Sequence, residues 1–298
     1  MKKRPRRYTL SPFMAVPAGV VGLLVAGCAN LRPAAAPADS GHHEFVLAAE
    51  ASWGALNPAR GGRGPGAANL WGDRTSASAT GMLVRFADGF SSPPHIHNIT
   101  YRGVVIYGHV HNDDPGAERM WMPTGSYWTQ PAGEVHVTAA KGPSAVAYIE
   151  IQQGPYLVLP SEQAEDNGER PVNIHESNLV WLDAETLTRV QGAGAVGPRI
   201  AYLWGDPQDQ KPSGAFVRLP VDFRGTLQCD GGSLRAIVVE GKPRYEQSSK
   251  TDGLDLEPGS YVGSIGSSPH RISLSTDHSC VLYVRSEGVF SVRGSLSR

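Results

Sequence analysis

From residue 41 onward the chain reads as short apolar or alternating runs cut by turn residues. Gly81 to Phe86, Gly103 to Tyr107 and Ser144 to Gln152 carry hydrophobic side chains at period two or in unbroken blocks, bounded by Gly, Pro or Asp. Such runs predict strands, because successive side chains on a strand point to opposite faces. No helical period runs beyond about three turns, and the stretch Asp183 to Val190 fits one short helix or a strand. Many short strands joined by tight turns predict an all-β sandwich or barrel. The 35 glycines and 23 prolines belong to that picture, since both residues favour turns.

The pattern repeats itself. Leu70-Trp71-Gly72-Asp73 recurs 133 positions later as Leu203-Trp204-Gly205-Asp206. At the same offset Gly81 meets Gly214, Val84 meets Val217, Phe90 meets Phe223, Arg102 meets Arg235 and Gly108 meets Gly241. Beyond a loop the offset is 134, where Gly125-Ser126-Tyr127 meets Gly259-Ser260-Tyr261 and His136 meets His270; at 135, Tyr148 meets Tyr283. Register held over so many positions predicts two copies of one domain, residues 41–159 and 160–298. The acidic stretch Pro160 to Arg170 reads as a solvated connection between them.

The first forty residues follow another logic. Met1-Lys2-Lys3-Arg4-Pro5-Arg6-Arg7 is basic, Phe13 to Ala26 is apolar but short for a membrane span, and Val25-Ala26-Gly27-Cys28 closes the run. This is the layout of a secretory signal peptide over residues 1–28. The tetrapeptide resembles a bacterial lipobox, which implies lipidation at Cys28, export, and anchoring on the periplasmic side of the cell envelope. Arg6-Arg7 is a weak twin-arginine signal. Residues 29–40, rich in Ala and Pro, read as a flexible linker. Of the two remaining cysteines, Cys229 and Cys280, the simplest reading is two small buried hydrophobes.

Composition narrows the function classes. With 298 residues, 40% hydrophobic and 18% charged, the chain has material for two ordinary cores. A net charge of −1 and the lack of a basic stripe argue against nucleic acid as a partner, since phosphate contacts need many Lys and Arg.

Candidate chemistry sits in Gly89-Phe90-Ser91-Ser92-Pro93-Pro94-His95-Ile96-His97, with His136 about forty residues on, in Pro131-Ala132-Gly133-Glu134-Val135-His136. Two histidines one residue apart on a strand share a face. Three imidazoles buried without partners would cost several polar-burial penalties, and a metal ion removes that cost.

These residues resemble the cupin superfamily. Gly89, five residues, His95-x-His97, three residues, Tyr101, six residues and Gly108 reproduce the spacing of its first motif, with Tyr101 where the family has glutamate. Gly125, five residues, Pro131-x-Gly133, two residues and His136 reproduce the second, with Ala140 where asparagine is usual. Pro94-His95-Ile96-His97-Asn98, Tyr101 to Val105 and Gly125 to Trp128 are similar to a bicupin family of uncharacterised function. The resemblance implies two tandem double-stranded β-helix (jelly-roll) barrels, with His95, His97 and His136 as ligands of a divalent ion in the first. Tyr101 could ligate as phenolate, hydrogen-bond a bound water or fill space. Glu134 could face the ion as a substitute carboxylate or general base, or be a solvated turn residue. Imidazole suits Fe and Zn, ranked first here, and also Mn, Ni and Cu.

Other residues carry weaker expectations. His109 and His111 read as a solvated hairpin tip, with the pocket mouth as the alternative. Trp121 and Trp128 read as core, or as an apolar wall for a ligand. At offset 133 the second copy replaces His95 by Gln228, His97 by Asp230 and Tyr101 by Leu234, so its site is read as degenerate although His270 survives. The expected function is a metal-binding bicupin acting on a small molecule, dioxygenase-like, with hydrolase or isomerase chemistry behind it. The alternative is a non-catalytic envelope lipoprotein binding or sensing a metal or small ligand, and pairing through sheet edges would make a homodimer.

Overall fold

A computed structural model of the chain describes residues 43–294, apart from 59–63, 192–196, 247–252 and 276. The expected signal peptide, Cys28 and the linker 29–40 lie outside the described residues. Among the described residues no helix is long and apolar enough to cross a membrane, and the regular structure is strands with three single turns of 3-10 helix.

Two largely antiparallel sheets make up the body, one from each half. The first has eight strands. Its centre is Tyr101–Asp113 paired with Val137–Ile151, continued outward by Thr80–Arg85 and Gly66–Trp71. The second has ten. Its centre is Arg224–Glu240 paired with Cys280–Gly294, continued by Pro212–Leu219 and Arg199–Trp204. These four-strand frameworks match element by element, as the repeat in the sequence requires. A separate two-stranded ladder joins His95–His97 to Val158–Pro160.

Three apolar cores result. One lies within the first sheet's curl, around Met82, Val84, Val105, Trp128 and Ile149. A second lies within the other, around Val217, Leu234, Ile272 and Phe290. The third fills the seam between the sheets, where Trp71, Tyr127 and Tyr148 meet Phe216, Tyr261 and Tyr283. The seam explains the unbroken apolar runs. Along Thr80–Arg85, Met82 and Val84 point inward while Leu83 enters the seam, so neither face meets water.

The halves also exchange a strand. His43–Val46, from the start of the described chain, pairs with Tyr261–Ile265 of the second sheet. Val172–Ile174 pairs with Tyr127–Gln130 of the first. Val46 faces Tyr261 as Ile174 faces Tyr127, and the Ala48 and Glu176 amides donate to the Ser260 and Ser126 hydroxyls, each at 3.1 Å. The exchange is therefore reciprocal. Each exchanged strand falls upstream of its own copy of the Leu-Trp-Gly-Asp sequence, Leu70 or Leu203, where the repeat has no sequence signal.

Two local expectations resolve differently. Asp183 to Val190 is neither helix nor strand for most of its length. The Asp183 side chain accepts from the Glu185 and Thr186 amides, which holds a turn, and pairing resumes at Val190–Gln191. The acidic stretch after Pro160 is exposed yet engaged: the Glu165 amide donates to the Gly133 carbonyl at 3.0 Å, and Thr100 hydrogen-bonds Glu169. It lies along one flank of the histidine-bearing loops.

Candidate metal centre

Pro93 and Pro94 have no amide hydrogen, so the pairing of Phe90 to Ser92 with Thr138 to Ala140 breaks off there and resumes at His95. His95 then exchanges both backbone hydrogen bonds with His136, at 3.1 and 3.0 Å, across an isolated antiparallel bridge. His97, two residues on, pairs with Val158. This backbone geometry brings the three rings together. Their centroids lie 4.3 Å apart for His95 and His136, 5.0 Å for His95 and His97, and 5.2 Å for His97 and His136. One nitrogen from each ring falls within 4.8 Å of the others, and all three residues are buried.

The remaining nitrogens fix the orientation. His95 Nδ1 is 3.0 Å from the Pro93 carbonyl, His97 Nδ1 is 2.8 Å from the Leu157 carbonyl, and His136 Nδ1 is 3.1 Å from the Glu134 carbonyl. A carbonyl can only accept, so each ring carries its proton on Nδ1 and turns an Nε2 lone pair to the centre. That second-sphere arrangement is the usual one for metal-binding histidine. Protonation is disfavoured as well: burial, then the neighbouring imidazoles, hold His97 well below the ordinary range, and burial and His95 bring His136 down to about 3. The donor set fits a divalent ion that accepts imidazole nitrogen.

Tyr101 sits at the back of the triad. Its hydroxyl donates to Asn112 Oδ1 at 2.8 Å and lies 3.4 Å from His136 Nε2. Burial pushes this phenol far up, so it remains a neutral hydroxyl rather than a phenolate. Thr138 also donates to Asn112 Oδ1, and Asn112 Nδ2 donates to Gln130 Oε1 at 2.8 Å. Gln130 in turn donates to the Glu134 carbonyl that holds His136. The Glu134 carboxylate lines a different groove, beside Asp166 and Arg170, and burial raises it. What Glu134 brings to the triad is its backbone oxygen.

Sequence reasoning missed Tyr156. Its ring stacks on His97 at 4.3 Å and its hydroxyl lies 3.1 Å from His97 Nε2. It lies in the segment after the last long strand of the first half, where no family motif points. Asn112 and Gln130 were missed too; buried amides inside strands would have been the signal. Trp128 lines the pocket over the triad, lying flat across Gly103, where any Cβ would collide with the indole. Trp121 does not; Lys141 sits over it. His111 is buried against the Met120 carbonyl while His109 is exposed, and neither lines the pocket.

The second half corrects the alignment drawn from the sequence. Leu227 faces His270 across the ladder as His95 faces His136. The positional equivalents of His95 and His97 are therefore Leu227 and Cys229, both buried in the core, and not Gln228 and Asp230, which lie on the outer face. The strand loses one residue before Leu227 and regains it at the Gly231-Gly232 bulge, so Tyr101 and Leu234 match again at offset 133. His270 is held by Tyr245 and Ser264, at 3.1 and 2.8 Å. Cys229 and Cys280 are both free and buried.

The fold is of the cupin type, with the histidine cluster inside the curl of the first sheet. Solved structures agree. A protein from Nostoc punctiforme described as a "putative dioxygenase" superposes with a TM-score of 0.63 at 14% identity, over 86% of this chain and 87% of that one. The protein Ylba from E. coli, of family-model DUF861, gives 0.55 at 14% identity, over 83% and 91%. No curated protein matches the chain in sequence. The model of the DUF4437 family, described as a domain of unknown function, matches residues 44–293, and the chain belongs to that family.

Proposed function

We propose that this chain is a tandem-barrel cupin whose first barrel holds one divalent ion on His95, His97 and His136 and acts on a small molecule there. The observation that carries the proposal is the convergence of the rings: three buried histidines, each with Nδ1 beside a backbone carbonyl, bring one nitrogen apiece within 4.8 Å of the others. When bound, the ion would supply a Lewis-acid or, for iron, a redox centre with open coordination positions. The chain's own residues orient and shield. Tyr156 and Tyr101 place neutral hydroxyls beside two of the ligating nitrogens. The apolar wall of Trp128, Phe86 and Ile149 excludes water from the same space. An oxygenase suits a site built on neutral ligands without a carboxylate, and iron and zinc are the first candidates for the ion. Hydrolysis or isomerisation is the runner-up, and non-catalytic binding of a ligand the third reading. The second barrel, with Leu227 and Cys229 in place of two ligands, serves as structural support. The basic, apolar and Cys28 pattern at the amino terminus supports export and lipid anchoring, which Cys28→Ser would test by releasing the protein into the soluble fraction.

Metal analysis of the full chain purified without chelators decides the central point. About one divalent ion per chain, lost in the His95→Ala, His97→Ala, His136→Ala triple variant, is expected. Equal metal in both proteins overturns the proposal. Substrate-dependent oxygen uptake by an iron-loaded sample separates oxygenase from the other readings.

A further inference from the structure

The pocket over the triad has an unusual lining for a site built to hold a cation. Among the described residues that line it there is no Asp, Glu, Lys or Arg. Val84, Phe86, Phe90, Trp128, Ile149 and Tyr156 form the wall, and His95 and His97 form the floor. The floor ligands are neutral imidazoles, so an ion there would keep its full double charge in a buried place. A bound anionic oxygen relieves that charge, because opposite charges attract strongly where water is excluded. The polar members of the described lining, Asn57, Ser92, Tyr101 and Thr138, are neutral, so no charge there meets a second carboxylate, and one pressed against Phe86 or Ile149 would be desolvated without a partner.

We infer that the site accepts a small molecule with one oxygen head group and an otherwise apolar, uncharged body, and rejects dianions. The inference rests on the proposed metal site for the head and on the wall for the body. The head lies on the floor, within reach of the Tyr156 hydroxyl that already sits 3.1 Å from His97 Nε2. The body lies along Trp128 and Phe90. A flat ring suits this space, since aromatic neighbours favour stacked and edge contacts.

The test uses zinc-loaded full-length protein and three probes that share one carboxylate: benzoate, acetate and terephthalate. Binding is followed by titration calorimetry. Acetate keeps the head and lacks the body; terephthalate keeps both and adds a charge at the far end. Benzoate is expected to bind at least about tenfold more tightly than acetate, from burial of the ring, and more tightly than terephthalate by a similar factor. Phe90→Arg, at the half-buried edge of the wall, is expected to reverse the order of benzoate and terephthalate. Acetate or terephthalate matching benzoate in the parent protein overturns the inference, as does the absence of binding by all three to a zinc-loaded sample. Failure of the protein to take up zinc overturns the metal reading instead. The wall is then tested alone with p-cresol against p-hydroxybenzoate on the metal-free chain, and equal binding, or none, overturns the inference.

Discussion

Glu150 and Arg285 meet at 3.4 Å across the seam between the two sheets, and both side chains are almost wholly buried. They occupy matching positions in the two halves, two residues beyond Tyr148 and Tyr283 on equivalent strands. The surroundings are nearly symmetric. Trp71 donates to the Tyr148 hydroxyl and Trp204 to that of Tyr283, at 3.0 and 2.8 Å; both phenols then donate to Glu150. Arg102 stacks on Trp204 at 3.8 Å, and its counterpart Arg235 stacks on Trp71 at 4.4 Å. At one position the symmetry is broken, acid on one side and base on the other, and that difference turns a repeated surface into a complementary one.

Removing one partner strands a charge. Arg285→Met should lower unfolding free energy by about 3–5 kcal/mol, the usual cost of breaking a buried pair. Glu150→Gln added to Arg285→Met should recover part of the loss, because no unpaired charge is left in the seam and the amide oxygen still accepts from one of the two tyrosines that Glu150 bonds. Urea denaturation of the parent, both single variants and the double variant gives the comparison. A double variant as unstable as the simple sum of the two single losses would mean that the pair is uncoupled.

Gly81 and Gly214 let the indoles lie flat. A Cβ at Gly81 would collide with Trp71 Nε1 and the Tyr148 hydroxyl, and one at Gly214 with Trp204 Nε1. Gly81→Ala and Gly214→Ala should each cost about 1–3 kcal/mol through overpacking. Neither should change metal content, since the seam is a separate core from the triad. Loss of metal in Gly81→Ala at full stability would contradict that separation.

How much of this was readable in the sequence depends on what each feature needs. The seam residues Trp71, Gly81 and Tyr148 recur at fixed offsets, so the duplication was legible, and so was the triad, because His95, His97 and His136 keep family spacing. The outward turn of Gln228 and Asp230 was not. A residue lost before Leu227 and regained at Gly231-Gly232 leaves the flanking offset unchanged, while every side chain between them changes face. Tyr156 was invisible because its role comes from lying next to His97 in space, 59 positions away in sequence. The exchange of His43–Val46 for Val172–Ile174 depends on backbone pairing, which puts little demand on side-chain identity.

Behind the triad, Asn112 is a junction. It accepts from Tyr101 and Thr138 and donates to Gln130, all within the barrel. Asn112→Leu leaves two buried hydroxyls without an acceptor and should cost about 1–3 kcal/mol for each. Because Gln130 also braces the Glu134 carbonyl, metal affinity should fall in the same variant, by about 10–100-fold if the brace acts as second-sphere partners generally do. Competition with a chelator of known affinity measures this. Unchanged affinity would show that the His136 carbonyl anchor holds without its brace.

Bound metal should stabilise the fold by mass action. At a free ion concentration about 100-fold above the dissociation constant the gain is about 2.7 kcal/mol, visible as a higher melting temperature that chelation removes. The triple histidine variant should melt at the same temperature with and without added ion. An equal shift in that variant would place the stabilising site elsewhere.

The seam also sets a limit at high pH. Tyr127, Tyr148, Tyr261 and Tyr283 are all pushed up by burial first, with Glu150 raising Tyr127, Tyr148 and Tyr283 further and Glu44 raising Tyr261. Burial likewise raises the Cys280 thiol, and moves Cys229 up to about 11. In each case the folded pKa lies above the unfolded one, so the folded chain holds its proton longer. The stability these groups contribute is fully present below their unfolded values, near 9 for the thiols and 10 for the phenols, and is lost as pH rises beyond them. While a group ionises only in the unfolded chain, stability falls by about 1.36 kcal/mol per pH unit for that group. The urea midpoint should therefore hold steady up to about pH 9 and drop steeply by about pH 11. The phenolate absorbance of these tyrosines should appear together with unfolding, and the two thiols should resist alkylation until the same point. Phenolate absorbance from all ten tyrosines growing near the ordinary value, in protein that stays folded, would mean that water reaches the seam.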